Sequence, residues 1–136
     1  MKRKTKIILA VLVLLIAASI YGYKEFNRKK ADTADLKTQF SIPSTELLKS
    51  FETDENKANV LYLDKIIEVS GKVSKIERTD SSISIMLNDG SSMASIMCQM
   101  DEPYKSVKIG ELVTIKGICT GFLMDVILNR CVIKNQ

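Results

Sequence analysis

From Ile66 to Ile133 apolar residues recur at every second position, in five short runs separated by turn residues. This alternation constrains the chain more than any other feature. A strand with period two has one buried face, so it must pair with others and pack that face against an interior. The first run, IIEVSGKVSKIER, puts Ile67, Val69, Gly71 and Val73 on one side. Its next apolar residue, Ile76, comes three positions on, which predicts a bulge or bend near Ser74 and Lys75. The second run, SISIMLN, aligns Ile83, Ile85 and Leu87, and Asn88-Asp89-Gly90 reads as a hairpin turn. The third, MASIMCQM, aligns Ile96, Cys98 and Met100 and ends at Asp101-Glu102-Pro103. Lys108-Ile109-Gly110 leads into the fourth, ELVTIKGIC, with Val113, Ile115, Gly117 and Cys119 inward and a turn beginning at Thr120-Gly121. The fifth, DVILNRCVI, aligns Val126 and Leu128, then slips to Cys131 and Ile133.

Five strands with no long crossover helix between them predict an antiparallel sheet, which needs closure to protect its edges. A long first strand bent at a central glycine is what a five-stranded Greek-key barrel requires, so the expected class is all-β, an OB-fold. A helical lead-in precedes it. Ser44 is placed to cap a helix carrying Leu47, Leu48 and Phe51, and Asp54 to cap a second turn with Ala58, Leu61 and Tyr62 buried.

The N-terminus is of another kind. Lys2, Arg3, Lys4 and Lys6 precede an uncharged run from Ile7 to Tyr23. Seventeen residues as a helix span about 25 Å, a little short of a ~30 Å hydrocarbon core. Tyr21 and Tyr23 suit the interface. The expected organisation is a membrane anchor over 1–23, a juxtamembrane linker over 24–43 and the barrel domain over 44–134. Cleavage as a signal peptide after Ser19, with Ala17 and Ser19 as weak small-residue positions, is a second option, and a buried soluble helix a third that the lack of a polar face disfavours. Four Lys/Arg precede the run and four, with Glu25, follow it. The α-amino group tips this narrow balance toward an extracytoplasmic barrel.

Charge follows the same division. Residues 1–30 hold eight basic residues against Glu25, net +7, and residues 31–136 twelve against fifteen acidic ones, net −3, which together return the overall +4. The basic character therefore belongs to the anchor, and a nucleic-acid reading based on the isoelectric point loses its support. Absence of histidine removes Ser-His-Asp and Cys-His catalysis and imidazole metal sites.

Spaced residues complete a family pattern. Ala58, Tyr62, Lys65, Ile67, Val69, Ser70, Gly71 and Val73 are followed by Ile96 and Cys98, by Gly110, Val113, Gly117, Cys119, Thr120 and Gly121, and by Asp125, Val126, Leu128, Cys131 and Ile133. Over residues 44–134 this resembles the bacterial tRNA_anti-like family, small OB-fold domains often set behind an N-terminal membrane segment. The resemblance implies a fold and brings no catalytic residues.

The candidate chemistry is sparse. Cys98, Cys119 and Cys131 fall on inward faces, where free thiols act as small hydrophobes; in an oxidising compartment two could pair. Setting Cys119 opposite about Val126 puts Cys131 too far from it for a bridge; Cys98 with Cys131 is the better candidate disulfide, because the third and fifth strands can adjoin in an OB barrel. Without histidine or a C-x-x-C motif, no metal or other cofactor is expected. A barrel that binds single strands uses aromatics and cations on its second and third strands. Residues 81–100 contain neither an aromatic nor a Lys or Arg. Ser70 with Lys72 is the one residual nucleophile-base pair, and a lysine on a strand is ordinarily just solvated. The outward side of strands two and three is rich in Ser and Met, including Met86, and partial cover by residues 44–62 is expected there. Gly121, Phe122, Leu123 and Met124 form the most apolar loop, either a partner contact or a plug for one barrel end. The reading is a non-catalytic, membrane-anchored OB-fold module held by residues 7–23, contacting a protein or small ligand through Gly121–Met124 and Met86. The alternatives are a cytoplasmic single-strand-binding domain and an anchored thiol protein.

Overall fold

The computed structural model describes residues 2–26, 32–101 and 106–134. Two compact units divide the chain, residues 1–31 and 32–136.

In the first unit, helix α1 runs from Arg3 to Phe26, and none of its residues is buried. It is long and apolar enough to cross a membrane, with a mean hydropathy of 2.2 over its best window. Both ends extend past the uncharged run. Its 24 residues reach about 36 Å, but the added residues include Arg3, Lys4, Lys6, Lys24 and Glu25, so the uncharged length is unchanged and lysine side chains reaching to the interface cover the shortfall.

The second unit is a closed barrel. A single-turn 3₁₀ helix (Thr33–Asp35) and strand β1 (Phe40–Pro43) lead to helices α2 (Ser44–Thr53) and α3 (Glu55–Tyr62). Strands β2 (Ile66–Arg78), β3 (Ile83–Leu87), β4 (Ile96–Met100), β5 (Leu112–Phe122) and β6 (Val126–Ile133) follow. The order is β2-β3-β4-β6-β5, closed by β5 pairing back to β2, with β1 added parallel to β2. β2 makes closure possible by serving two partners. Its first part, Ile66–Lys72, pairs with β5, and Val73–Arg78 pairs with β3. The register shift between Val73 and Lys75 is the expected bulge, and it bends the strand where the partner changes. Gly71, just before it, leaves room for α2: a Cβ there would come within 2.6 Å of Ser44 Oγ. A second slip lies in β6, where Arg130 takes a positive φ of 53° and Cys131 returns to the interior.

Inward residues of all five barrel strands form the core, with Ile67, Val69, Ile85, Leu87, Ile96, Ile115, Val126 and Leu128 fully buried. One end is closed by α2 and α3. Leu47, Leu48 and Phe51 of α2 are buried, and Phe51 stacks on Phe122 at 5.8 Å and lies 6.1 Å from Tyr62. Phe40 meets Tyr62 edge-on at 5.1 Å.

Several expectations change. Ser44 is the first residue of α2 and Pro43 the cap, because the serine side chain is buried over Gly71. Asp54 caps α3 as expected, accepting from the Lys57 N–H at 3.1 Å. Leu61 is 43% exposed, since α3 turns Ala58 and Tyr62 inward instead. Asn88-Asp89-Gly90 does not make a tight hairpin. β4 starts at Ile96, not Met93, and residues 88–95 form a longer loop. Asn88 holds that loop by donating through Nδ2 to Ser92 O (2.9 Å) and Ala94 O (3.0 Å). β5 runs past Thr120-Gly121 to Phe122. Glu102 and Pro103, expected to end β4, lie outside the described residues.

The largest difference is in 24–43. Residues 27–31 lie outside the described part, but from Thr33 onward this segment belongs to the fold. It straps the outer surface of β2, β5 and β6 and ends as β1, with Phe40–Pro43 opposite Ile67–Ser70. A polar cluster fixes the strap. Lys116 Nζ, on a residue 7% exposed, donates to Ala34 O and Leu36 O. Glu68, 8% exposed, accepts from Thr38 Oγ1 at 2.6 Å and Lys134 Nζ at 2.9 Å. The Thr38 hydrogen bond, then Lys134, then the nearby Lys116 charge hold the Glu68 carboxyl below its ordinary 4.5. The sign follows from that direction. A carboxylate whose folded value is depressed adds stability above its unfolded value and loses it as pH falls through the folded one. Thermal melts across acid pH should therefore show wild type losing stability below pH 4.5 more steeply than Glu68→Gln, with parallel curves near neutrality. Equal acid slopes would remove Glu68 from the strap's anchorage.

Candidate functional site

At the end of the barrel capped by α3, β5 and β6 meet in the turn Leu123–Asp125. The loop 88–95 supports this turn: Ser95 N–H donates to Asp125 Oδ1 at 2.7 Å and Val126 N–H to Ser95 O at 3.0 Å. A cleft of about 310 Å³ opens between this turn and α3, lined by Asn59, Leu63, Thr120, Gly121, Phe122, Leu123 and Ile127. That is the lower end of the range for small-ligand sites.

Gly121 makes the cleft possible. Its φ of 122° excludes other residues without strain. A Cβ there would lie 3.7 Å from Leu63 Cδ1 and 3.9 Å from Asn59 Oδ1, so its absence leaves the floor open. Asn59 Oδ1 is buried and has no hydrogen-bond partner among the described residues. Leaving a buried acceptor unpaired costs about 1–3 kcal/mol. Among the described residues, no charged side chain lines the cleft.

Of the residues expected to make contact, Gly121, Phe122 and Leu123 line the cleft. Phe122 is half-buried against Phe51, so it closes the barrel end and walls the cleft at once. Leu123 is 81% and Met124 85% exposed, and they form the rim. Met86 does not line the cleft. It sits half-buried on the outer side of β3, opposite Met97, which is opposite Ile127. An outward row thus crosses three strands from Met86 through Met97 to the cleft wall. The helices do not supply the cover expected for this face: α2 packs on β1 and β2, and α3 on β5. Asn59, Leu63, Thr120 and Ile127 do not stand out in the sequence as lining residues. Asn59 gave no signal, because a single asparagine on a short polar helix looks solvated.

A larger groove of about 350 Å³ lies between α2 and α3, lined by Glu46, Lys49, Asp54 and Lys57 around Ala58 and Leu61. It is a solvated, mixed-charge furrow with no orphan polar atom among the described residues. The cleft at Gly121 is the better candidate despite its smaller size.

The cysteines are inside. Cys98, Cys119 and Cys131 are free and fully buried. Cys119 faces Leu128, not Val126, because register shifts in β5 and β6 intervene. Cys98 and Cys131 sit on the adjacent parallel strands β4 and β6, opposite Leu128 and Met100. Burial pushes the Cys119 thiol up, and burial together with neighbouring Cys98 pushes Cys131 well up. Such thiols are poor nucleophiles. No cluster of metal-ligating side chains occurs among the described residues.

A five-stranded closed barrel with this strand order and a cleft at the turn between its last two strands defines an OB-fold protein. The tRNA_anti-like family model matches residues 1–133, and the chain belongs to that family. It is similar in structure to a proposed nucleic acid-binding lipoprotein from Klebsiella pneumoniae, with a TM-score of 0.61 and 17% identity over 79% of this chain and 100% of that one. It also aligns with an OBody bound to hen egg-white lysozyme, with a TM-score of 0.41 and 13% identity over 56% of this chain and 87% of that one. No curated protein matches.

Proposed function

We propose that this protein is a membrane-anchored, non-catalytic recognition module. Its barrel lies outside the cytoplasm and takes an uncharged protein segment or small ligand into the cleft at Gly121. The observation that carries the reading is the cleft itself, apolar on most sides and free of charged lining among the described residues. Helix α1, with no buried face, supports the anchor. The absence of histidine and the buried, raised cysteines speak against catalysis and thiol exchange.

The name of the Klebsiella protein favours a second reading, single-stranded nucleic acid. The outer faces of β3 and β4 oppose it. Ser84, Met86, Met97 and Gln99 offer no stacking ring and no cation. Titrating the full chain in lipid nanodiscs with a single-stranded oligonucleotide at low and high salt separates the two. The recognition reading expects no binding attributable to the barrel at either salt. Tight binding that falls steeply with salt, and that survives neutralisation of the basic residues Lys2, Arg3, Lys4, Lys6, Lys24, Arg28, Lys29 and Lys30, would replace it with the nucleic-acid reading.

A further inference from the structure

Resting on the reading of α1 as a membrane anchor, and on nothing at the Gly121 cleft, we infer that a second cleft, between the strap and β6, holds the phosphate of an anionic phospholipid headgroup against Lys134, with the buried charge of Lys116 behind it.

Three observations select this ligand. First, the cleft has a volume of about 200 Å³ and is lined by Ala34, Lys116, Val132, Ile133 and Lys134. Both charged residues of that lining are cations, and among the described residues no carboxylate joins them. Ala34, Val132 and Ile133 offer an apolar wall to the glycerol carbons of a headgroup. Second, the local charges do not balance. Lys116 is 7% exposed and donates to two neutral acceptors, Ala34 O at 3.2 Å and Leu36 O. Glu68, whose carboxylate feels the Lys116 charge, is already paired with Lys134 at 2.9 Å. Asp32 and Asp35 flank Ala34, but Asp32 is committed to the Ala34 N–H at 3.1 Å, Asp35 is exposed, and neither lines the cleft. Two lysines thus share one carboxylate. A cation held out of water by carbonyls gains from an anion placed near it, and the half-exposed Lys134 side chain gives that anion an accessible donor. Third, headgroups are within reach. Only residues 27–31 separate Phe26, the end of α1, from Asp32, the cap of the turn that carries Ala34. Fully extended they span about 20 Å, however the two units are disposed. A tether this short keeps the local concentration of headgroups high, an advantage that free phosphate lacks.

The test uses the full chain in lipid nanodiscs, with labelled Val and Ile methyl groups. The discs run from phosphatidylcholine alone, whose choline competes with lysine for the phosphate, to rising fractions of phosphatidylglycerol. The anionic lipid should shift the methyls of Val132 and Ile133 and leave those of the core residues Ile85 and Val126 in place. Lys134→Gln should raise the lipid fraction needed for half the shift about tenfold, the worth of one hydrogen bond to a charged group. Lys134→Arg should keep the wild-type value. Glu68→Gln should lower it, because it releases Lys134 from its ion pair. A general attraction of Lys24, Arg28, Lys29 and Lys30 to the bilayer responds to none of these changes, so equal shifts in all variants would overturn the assignment. Inorganic phosphate titrated into neutral discs separates the two sources of the ligand. Shifts with phosphate but not with phosphatidylglycerol would overturn the lipid inference in favour of a free anion, and no shift with either would overturn the site. A chain that fails to co-purify with the discs would overturn the anchor reading instead, and this inference falls with it.

Discussion

Phe51→Ala is expected to be the most damaging single substitution in the barrel unit. Phe51 is 1% exposed, stacks on Phe122 and lies against Tyr62, and so joins α2, α3 and the end of β5. Truncating a buried phenylalanine costs about 3–5 kcal/mol through lost burial and the remaining cavity. For a domain of this size that lowers the melting temperature by roughly 12–40 °C. The effect reaches the cleft, because the ring of Phe122 loses the surface that fixes it. Melting followed by circular dichroism should show the drop. A shift of only a few degrees would mean that the helices contribute little to closing the barrel.

Gly117→Ala is the second large effect, and its origin is the opposite. Gly117 faces the interior, and a Cβ there would lie 2.5 Å from Cys131 Sγ and 3.2 Å from both Asn129 O and Leu128 Cβ. The sulfur belongs to a buried side chain and the oxygen to backbone, so neither yields freely. Overpacking of this kind costs about 1–3 kcal/mol, sometimes more. The double variant Gly117→Ala/Cys131→Ala should recover part of the loss, because it removes the nearest atom and leaves the 3.2 Å contacts in place. Chemical denaturation of the two variants and the Cys131→Ala control measures this coupling. A fully additive pair would place the strain elsewhere.

These residues also show what the linear chain reveals and what it hides. Gly71, Val73 and Ile76 encode the bend of β2 openly, because a phase slip in a period-two run has few other meanings. The inward sets of all five barrel strands are equally plain. The strap is not. Phe40–Pro43 is four residues long and ends in proline, and what holds it and the 3₁₀ turn before it is remote: Glu68, Lys116 and Lys134. Lys116 reads as a solvated strand lysine until Ala34 O and Leu36 O cover it. The loop at Asn88-Asp89-Gly90 misleads for a similar reason. Its glycine takes positive φ as a hairpin would, but Asn88 Nδ2 bonds to Ser92 O and Ala94 O and holds a longer excursion. For the cleft, Gly121, Phe122 and Leu123 stand out as an apolar turn. Asn59 does not, because its burial depends on a glycine 62 positions away.

The account rests on a barrel displayed outside the cytoplasm by an anchor that stays attached, and topology tests this most directly. A C-terminal tag on the full chain should be lost when external protease is added to intact cells stripped of any outer envelope. The same treatment should leave a cytoplasmic control protein whole. A tag that survives in intact cells, yet is cut after lysis, would put the barrel in the cytoplasm and contradict the account.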